Sequence, residues 1–176
     1  CRDIAQKFNN DYKIENFFVV PEPLIKKEFS RIMSLKDGLK KMSKSEVSDL
    51  SRINLTDDKD LIISKIKKAK TDTLPLPSKI EELEKRPEAK NLIGIYSSLM
   101  NNTLQETVDE FAGKNFSEFK EKLSDLVVNE INPISLKIKE LLDDKVFLEK
   151  ILKDGYEKAN EIASKKIKKI HEIVGF

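Results

Sequence analysis

Lys41-Met42-Ser43-Lys44-Ser45, reached through Arg31-Ile32-Met33-Ser34-Leu35-Lys36-Asp37 and Gly38-Leu39-Lys40, is the stretch on which the reading of this chain turns. Two lysines three positions apart flank small hydroxyl residues. Each ammonium is a compact charge on a flexible stem, able to follow negative charge as it moves during a reaction. The serines add hydroxyl donors, and turn-forming backbone can aim N–H groups at an anion. The pattern suits a polyphosphate. Alone it also suits a solvated lysine-rich surface loop, so the flanking sequence has to decide.

Upstream, Ile4, Ala5 and Phe8 give a short helix one apolar face. Phe17-Phe18-Val19-Val20, ended by Pro21 and Pro23, predicts a short buried strand, and Arg31 to Leu35 predicts a second. Gly38 is expected to loosen the backbone at the entry to the signature. Residues 38 to 47 are expected to be mobile, because Met42 is the one apolar anchor between Lys40 and Ser45.

Beyond residue 53 the pattern is helical. Thr56 predicts an N-cap, with Asp57, Asp58 and Asp60 on the first turn and Lys65, Lys67 and Lys68 in the last, as the helix dipole favours. Pro75, Pro77 and Pro87 make residues 71 to 90 a connection with a short turn near Ile80 to Leu83. Thr103 and Glu106 form a capping box for a helix closed near Gly113. Phe119, Leu123, Leu126, Val127, Ile131, Ile134, Ile138 and Leu141 keep helical spacing through Pro133, which is expected to kink the helix. Leu148, Leu152, Gly155, Ala159, Ile162, Ile167 and Ile170 form a similar stripe in a final helix.

Composition narrows the class. Charged residues are 36% and hydrophobic ones 39% of the 176, which suits a folded helical chain. The formal net charge is +2, so any grip on nucleic acid must come from local patches. One cysteine excludes an internal disulfide and multi-cysteine zinc patterns. His171, the single histidine, has no ligand or nucleophile constellation around it. No signal peptide or membrane-length apolar run is visible, from which a soluble, cytoplasmic chain with no membrane partner is expected.

The string KMSKS is the signature of class I aminoacyl-tRNA synthetases. With Arg31 to Asp37 before it and Arg52-Ile53-Asn54-Leu55-Thr56-Asp57-Asp58 through Lys70-Thr71-Asp72 after it, the chain resembles the bacterial and mitochondrial tryptophanyl-tRNA synthetases. Asn91 to Leu99, Phe119 to Ile134 and Leu152 to Ala159 resemble the later helices of that family. The resemblance covers essentially the whole chain, but only the second half of such an enzyme. The opening Cys1-Arg2-Asp3-Ile4-Ala5-Gln6-Lys7-Phe8 resembles the middle of a helix of the nucleotide-binding domain, so a fragment is expected. Glu46-Val47 stands where the family often has Asp-Pro, and Gly38-Leu39 where it often has Pro-Thr.

The resemblance implies a mainly α fold. Residues 1–53 would be the C-terminal remnant of a Rossmann-like ATP-binding domain, with short strands and the signature loop. Residues 54–176 would be a helical domain that meets the anticodon region of tRNA. It implies a ligase that activates tryptophan with ATP and passes it to tRNA(Trp), working as a homodimer, with Mg²⁺ accompanying ATP. Lys44 is implied as the catalytic lysine that follows the departing pyrophosphate, and Lys41 as its assistant. Met42, Ser43 and Ser45 complete the ATP-binding loop, and Ile32 touches the adenine. The first half of the ATP site and the tryptophan pocket have no counterpart here, so the chain alone is expected to be inactive.

Lys165, Lys166, Lys168 and Lys169 suit either a phosphate backbone or simple solvation of a helix end. Phe116, Phe119 and Tyr156 have the spacing of core residues rather than of base-stacking ones. A non-enzymatic helical module that binds RNA or protein is the alternative to the ligase, and the related tyrosine enzyme is a weaker one.

Overall fold

The computed structural model describes residues 1–24 and 31–176, and helices dominate it. α1 (Arg2–Asp11) is followed by a hairpin of β1 (Met33–Ser34) and β2 (Asp37–Lys41). Then come α2 (Lys59–Lys67), α3 (Pro87–Met100), α4 (Leu104–Phe111), α5 (Phe116–Asp143) and α6 (Lys145–Val174). Short 3-10 turns at Asp49–Ser51 and Ile80–Lys85 punctuate the connections. The chain is mainly α, as expected. One compact unit comprises Cys1–Lys26 and Asp144–Phe176, the other Lys27–Asp143. The larger unit lies in sequence between the two parts of the smaller one.

In the larger unit the core is an interlocking of α2, α3, α4 and α5. Ile62 and Ile66 of α2, Leu92 and Ile93 of α3, Val108 and Phe111 of α4, and Phe119 and Leu123 of α5 are all buried. Phe111 meets Phe119 edge-on with ring centroids 4.8 Å apart, and Tyr96 meets Phe111 at 5.0 Å, the geometry that aromatic quadrupoles favour. Lys120 of α5 runs its ammonium to the carbonyls of Lys67 and Ala69, at 3.2 and 2.6 Å, and so satisfies acceptors that the end of α2 leaves open. Burial lowers the pKa of this amine.

Several local readings hold. Thr103 and Glu106 make both bonds of the capping box, and Gly113 takes φ +71° just past α4. Pro133 lies inside α5. The proline-rich connection is pinned by Arg86, whose guanidinium grips both oxygens of Asp72 at 2.7 and 2.9 Å and also donates to the Pro75 carbonyl. This pairing holds the Asp72 carboxyl below its usual range. Pro87 starts α3 rather than interrupting it, since a first-turn residue needs no N–H partner.

Other readings are corrected. Phe17 to Val20 is not a strand. The Asn9 side-chain amide pairs with both backbone groups of Phe18, at 2.8 and 3.0 Å, and so occupies them in the way a neighbouring strand would. Phe17 and Phe18 stack instead around Phe8, with Lys166 of α6 over the Phe17 ring. The cap of α2 is Asp58, which accepts from Leu61 N, and not Thr56. No residue of α6 is buried: most of its stripe is exposed, Leu148 and Ile170 are half-buried, and Tyr156 is likewise no core residue.

Gly38 does not free the chain. It lies in β2, buried against the start of α3, where an added Cβ would sit 2.6 Å from Pro87 C and Glu88 N. The segment expected to be mobile is therefore a strand as far as Lys41. Gly38→Ala should destabilise the larger unit by about 1–3 kcal/mol, the usual cost of overpacking against atoms that cannot yield. Urea denaturation of the two proteins, showing equal midpoints, would refute that close-approach role.

Candidate phosphate-binding turn and its supports

The signature divides at its second residue. Lys41 is the last residue of β2, exposed, and its position pairs with Met33 across the hairpin. Met42 still belongs to the framework, since its N–H donates to the Ile32 carbonyl at 3.0 Å and its side chain packs against the core. Beyond it the chain turns. The Ser43 and Ser45 hydroxyls lie 2.9 Å apart, and Ser43 Oγ also accepts from Ser45 N at 3.3 Å. Glu46 N donates to the Ser43 carbonyl, and Lys44 projects between the serines with its side chain exposed. Two exposed lysines, one at a strand end and one in the turn, thus flank a pair of bonded hydroxyls in five consecutive residues.

The side before the turn is held by Asn91 of α3. Its Oδ1 accepts from Met33 N and its Nδ2 donates to Met33 O, both at 2.9 Å, so a side-chain amide imitates a third strand. Leu35 donates to the Ser51 carbonyl and accepts from Lys70 N, which ties the hairpin bend to both ends of the next segment. Ile32 and Met42 help line an apolar cavity of about 220 Å³, with Ile53, Ile95, Leu99 and Val127. The structure thus brings Ile32 and Met42 to one wall, next to the lysine-bearing turn.

The side after the turn rests on groups that sequence reading missed. Lys65, placed by its position among helix-end cations, is fully buried. Its ammonium lies 2.6 Å from Asp57 Oδ2 and 2.6 Å from Asp49 Oδ2. Asp57 also accepts from Asn54 N at 2.9 Å. Asp49 is held below the usual carboxylate range by Lys65, then by Asn54. A signal existed in the spacing: Lys65 stands three residues after Ile62 and directly before Ile66, inside the apolar stripe of α2. Among the described residues no cluster of His, Cys, Asp or Glu suits a metal ion. No described helix is long and apolar enough to cross a membrane.

A lysine-bearing turn beside an apolar shelf, carried by a hairpin on a helical scaffold, is the candidate site of this chain. Residues 1–132 match the family model described as tRNA synthetases class I (W and Y), and the chain belongs to that family. It is 46% identical over 193 residues to the tryptophan–tRNA ligase of Brucella melitensis, covering 99% of this chain and 54% of the relative. It is 49% identical over 175 residues to that of Caulobacter vibrioides, covering 99% and 51%. The chain thus spans about half the length of the curated relatives it matches. The crystal structure of the Mycoplasma pneumoniae tryptophanyl-tRNA synthetase aligns with a TM-score of 0.81 at 25% identity, over 99% of this chain and 51% of that one. That of Campylobacter jejuni complexed with ADP and tryptophan aligns at 0.65 and 27%, over 99% and 52%.

Replacing Lys65 by Met should cost the larger unit about 3–5 kcal/mol, because Asp57 is left buried without its cation. The double change Asp57→Asn with Lys65→Met should recover part of that loss, which equilibrium denaturation of the three proteins measures. Equal stability of Lys65→Met and the parent would refute the pairing.

Proposed function

We propose that this chain supplies the signature loop and helical half of a tryptophan–tRNA ligase. The enzyme condenses tryptophan with ATP to tryptophanyl-adenylate and transfers the tryptophanyl group to tRNA(Trp). The observation that carries the reading is the turn itself: Lys41 and Lys44 exposed on an arc anchored on both sides, in a chain nearly half identical to such ligases along its length. In this reading residues 1–53 serve the ATP site and residues 54–176 form the helical part that meets tRNA. Lys165, Lys168 and Lys169 on α6 are exposed cations suited to a phosphate backbone, whereas Lys166 is turned onto the Phe17 ring. The enzyme acts as a cytoplasmic homodimer.

Activation joins the tryptophan carboxylate to the α-phosphorus of ATP and breaks that phosphorus's bond to the bridging oxygen of pyrophosphate. Negative charge grows on the departing phosphates as the bond lengthens. An ammonium aimed at that charge stabilises the transition state more than the ground state. Lys44, at the apex of the turn, takes this role. Lys41, fixed on β2, holds the phosphates as they arrive, and the Ser43 and Ser45 hydroxyls and backbone donate to phosphate oxygens. Ile32 and Met42 offer the adenine an apolar wall. Mg²⁺ would accompany ATP as part of the substrate complex and would supply counter-charge to its phosphates.

In the complete ligase, Lys44→Ala should lower kcat for adenylate formation roughly 100- to 1,000-fold with little change in tryptophan affinity, as expected on losing one transition-state donor. Single-turnover kinetics with an unchanged chemical step would remove Lys44 from this role. The chain by itself should catalyse no tryptophan-dependent exchange of pyrophosphate into ATP. Exchange by purified chain, free of host enzyme, would show that a complete site exists within these 176 residues.

A further inference from the structure

The ion-pair network after the signature reaches the signature's own backbone through one side chain. Arg52 Nη1 donates to the Glu46 carbonyl at 2.9 Å. The same guanidinium donates from Nε to Asn54 Oδ1 at 3.2 Å and places Nη2 2.9 Å from Asp49 Oδ1. All three of its nitrogens are therefore engaged, and a planar fork held at three points has one orientation. Asp49 is itself gripped from the other side by buried Lys65, and Asn54 Nδ2 donates to both Asp49 and Asp57. The chain of contacts runs unbroken from the interior of α2 to the residue after Ser45.

We propose that Arg52 is a positioning residue for the phosphate-binding turn. Its fork fixes the Glu46 end of the turn, while the bond from Met42 N to the Ile32 carbonyl fixes the other end. Lys44 then rides on three residues, Ser43 to Ser45, strung between two fixed points. The turn is restricted before substrate arrives, so less conformational freedom is lost when the ammonium meets the departing phosphates. Arg52 touches no substrate in this scheme and acts through the backbone of Glu46. The proposal rests on the reading of Lys44 given above.

The test uses the complete ligase carrying this segment, with Arg52→Gln, Arg52→Lys and Lys44→Ala made separately. Arg52→Gln should speed amide hydrogen exchange at residues 45 to 47 by about tenfold or more, the scale of a lost charge-assisted hydrogen bond, with exchange in α2 and α3 unchanged. It should lower kcat for adenylate formation by a similar factor while leaving the KM for tryptophan unchanged. Arg52→Lys keeps the charge but cannot span Glu46, Asp49 and Asn54 together, and should loosen the turn in the same way. Unchanged exchange at 45 to 47 in both Arg52 variants, or exchange that rises equally in α2 and α3, overturns the proposal. If instead the Arg52 variants loosen the turn while Lys44→Ala leaves kcat intact, the anchor stands as a structural fact. It is then the catalytic reading of Lys44 that fails, and the positioning role with it.

Discussion

The ammonium of Lys65 sits inside the larger unit with no access to water, and that single buried charge constrains much of its surroundings. A buried cation is tolerated only when carboxylates meet it at close range, because desolvation costs several kcal/mol per ion. Asp57 and Asp49 must therefore come to α2, and each brings its own segment. Asp57 fixes the entry to the helix and Asp49 fixes the 3-10 turn after the signature. An apolar residue at position 65 would be compatible with many placements of the segment between the signature and α2. A buried ion pair is compatible with few, and here its worth lies in that restriction.

Side-chain amides impose a second restriction. Asn91 pairs with Met33 as a strand would, and Asn9 does the same for Phe18. In a chain with one two-stranded sheet among its described residues, extended segments lack neighbours, and their backbone groups need partners. Primary amides carry both a donor and an acceptor and can stand in for a peptide unit. The hairpin that presents Lys41 is thereby held to α3 by one residue and by the tight contact at Gly38.

The electrostatic contrast within the site arises from this arrangement. Lys65 is buried and fully paired, so it is committed to structure. Lys44, a lysine of the same chemistry, is exposed on a turn whose hydroxyls bond to each other. In the role proposed for Lys44, an exposed ammonium exchanges water for phosphate, which a lysine already satisfied by carboxylates cannot do. Placement, and not residue type, separates the two roles.

The features that the sequence by itself determined were local or motif-borne. The capping box at Thr103 and Glu106, the long helical spacing from Phe119 onward and the lysine–serine signature all depend on neighbours a few residues away. The family resemblance rested on the same strings. The tertiary structure alone decided whether Gly38 loosened or tightened the chain, because that depended on Pro87 and Glu88, about fifty residues later. It decided that Lys65 was internal, since a lysine's position in a helix predicts its dipole partner but not the carboxylates that reach it from another segment. It also decided that Phe17 to Val20 would find an asparagine rather than a strand, and that the stripe of α6 would stay largely exposed. A periodic pattern states that a face is apolar, and only packing determines what meets it.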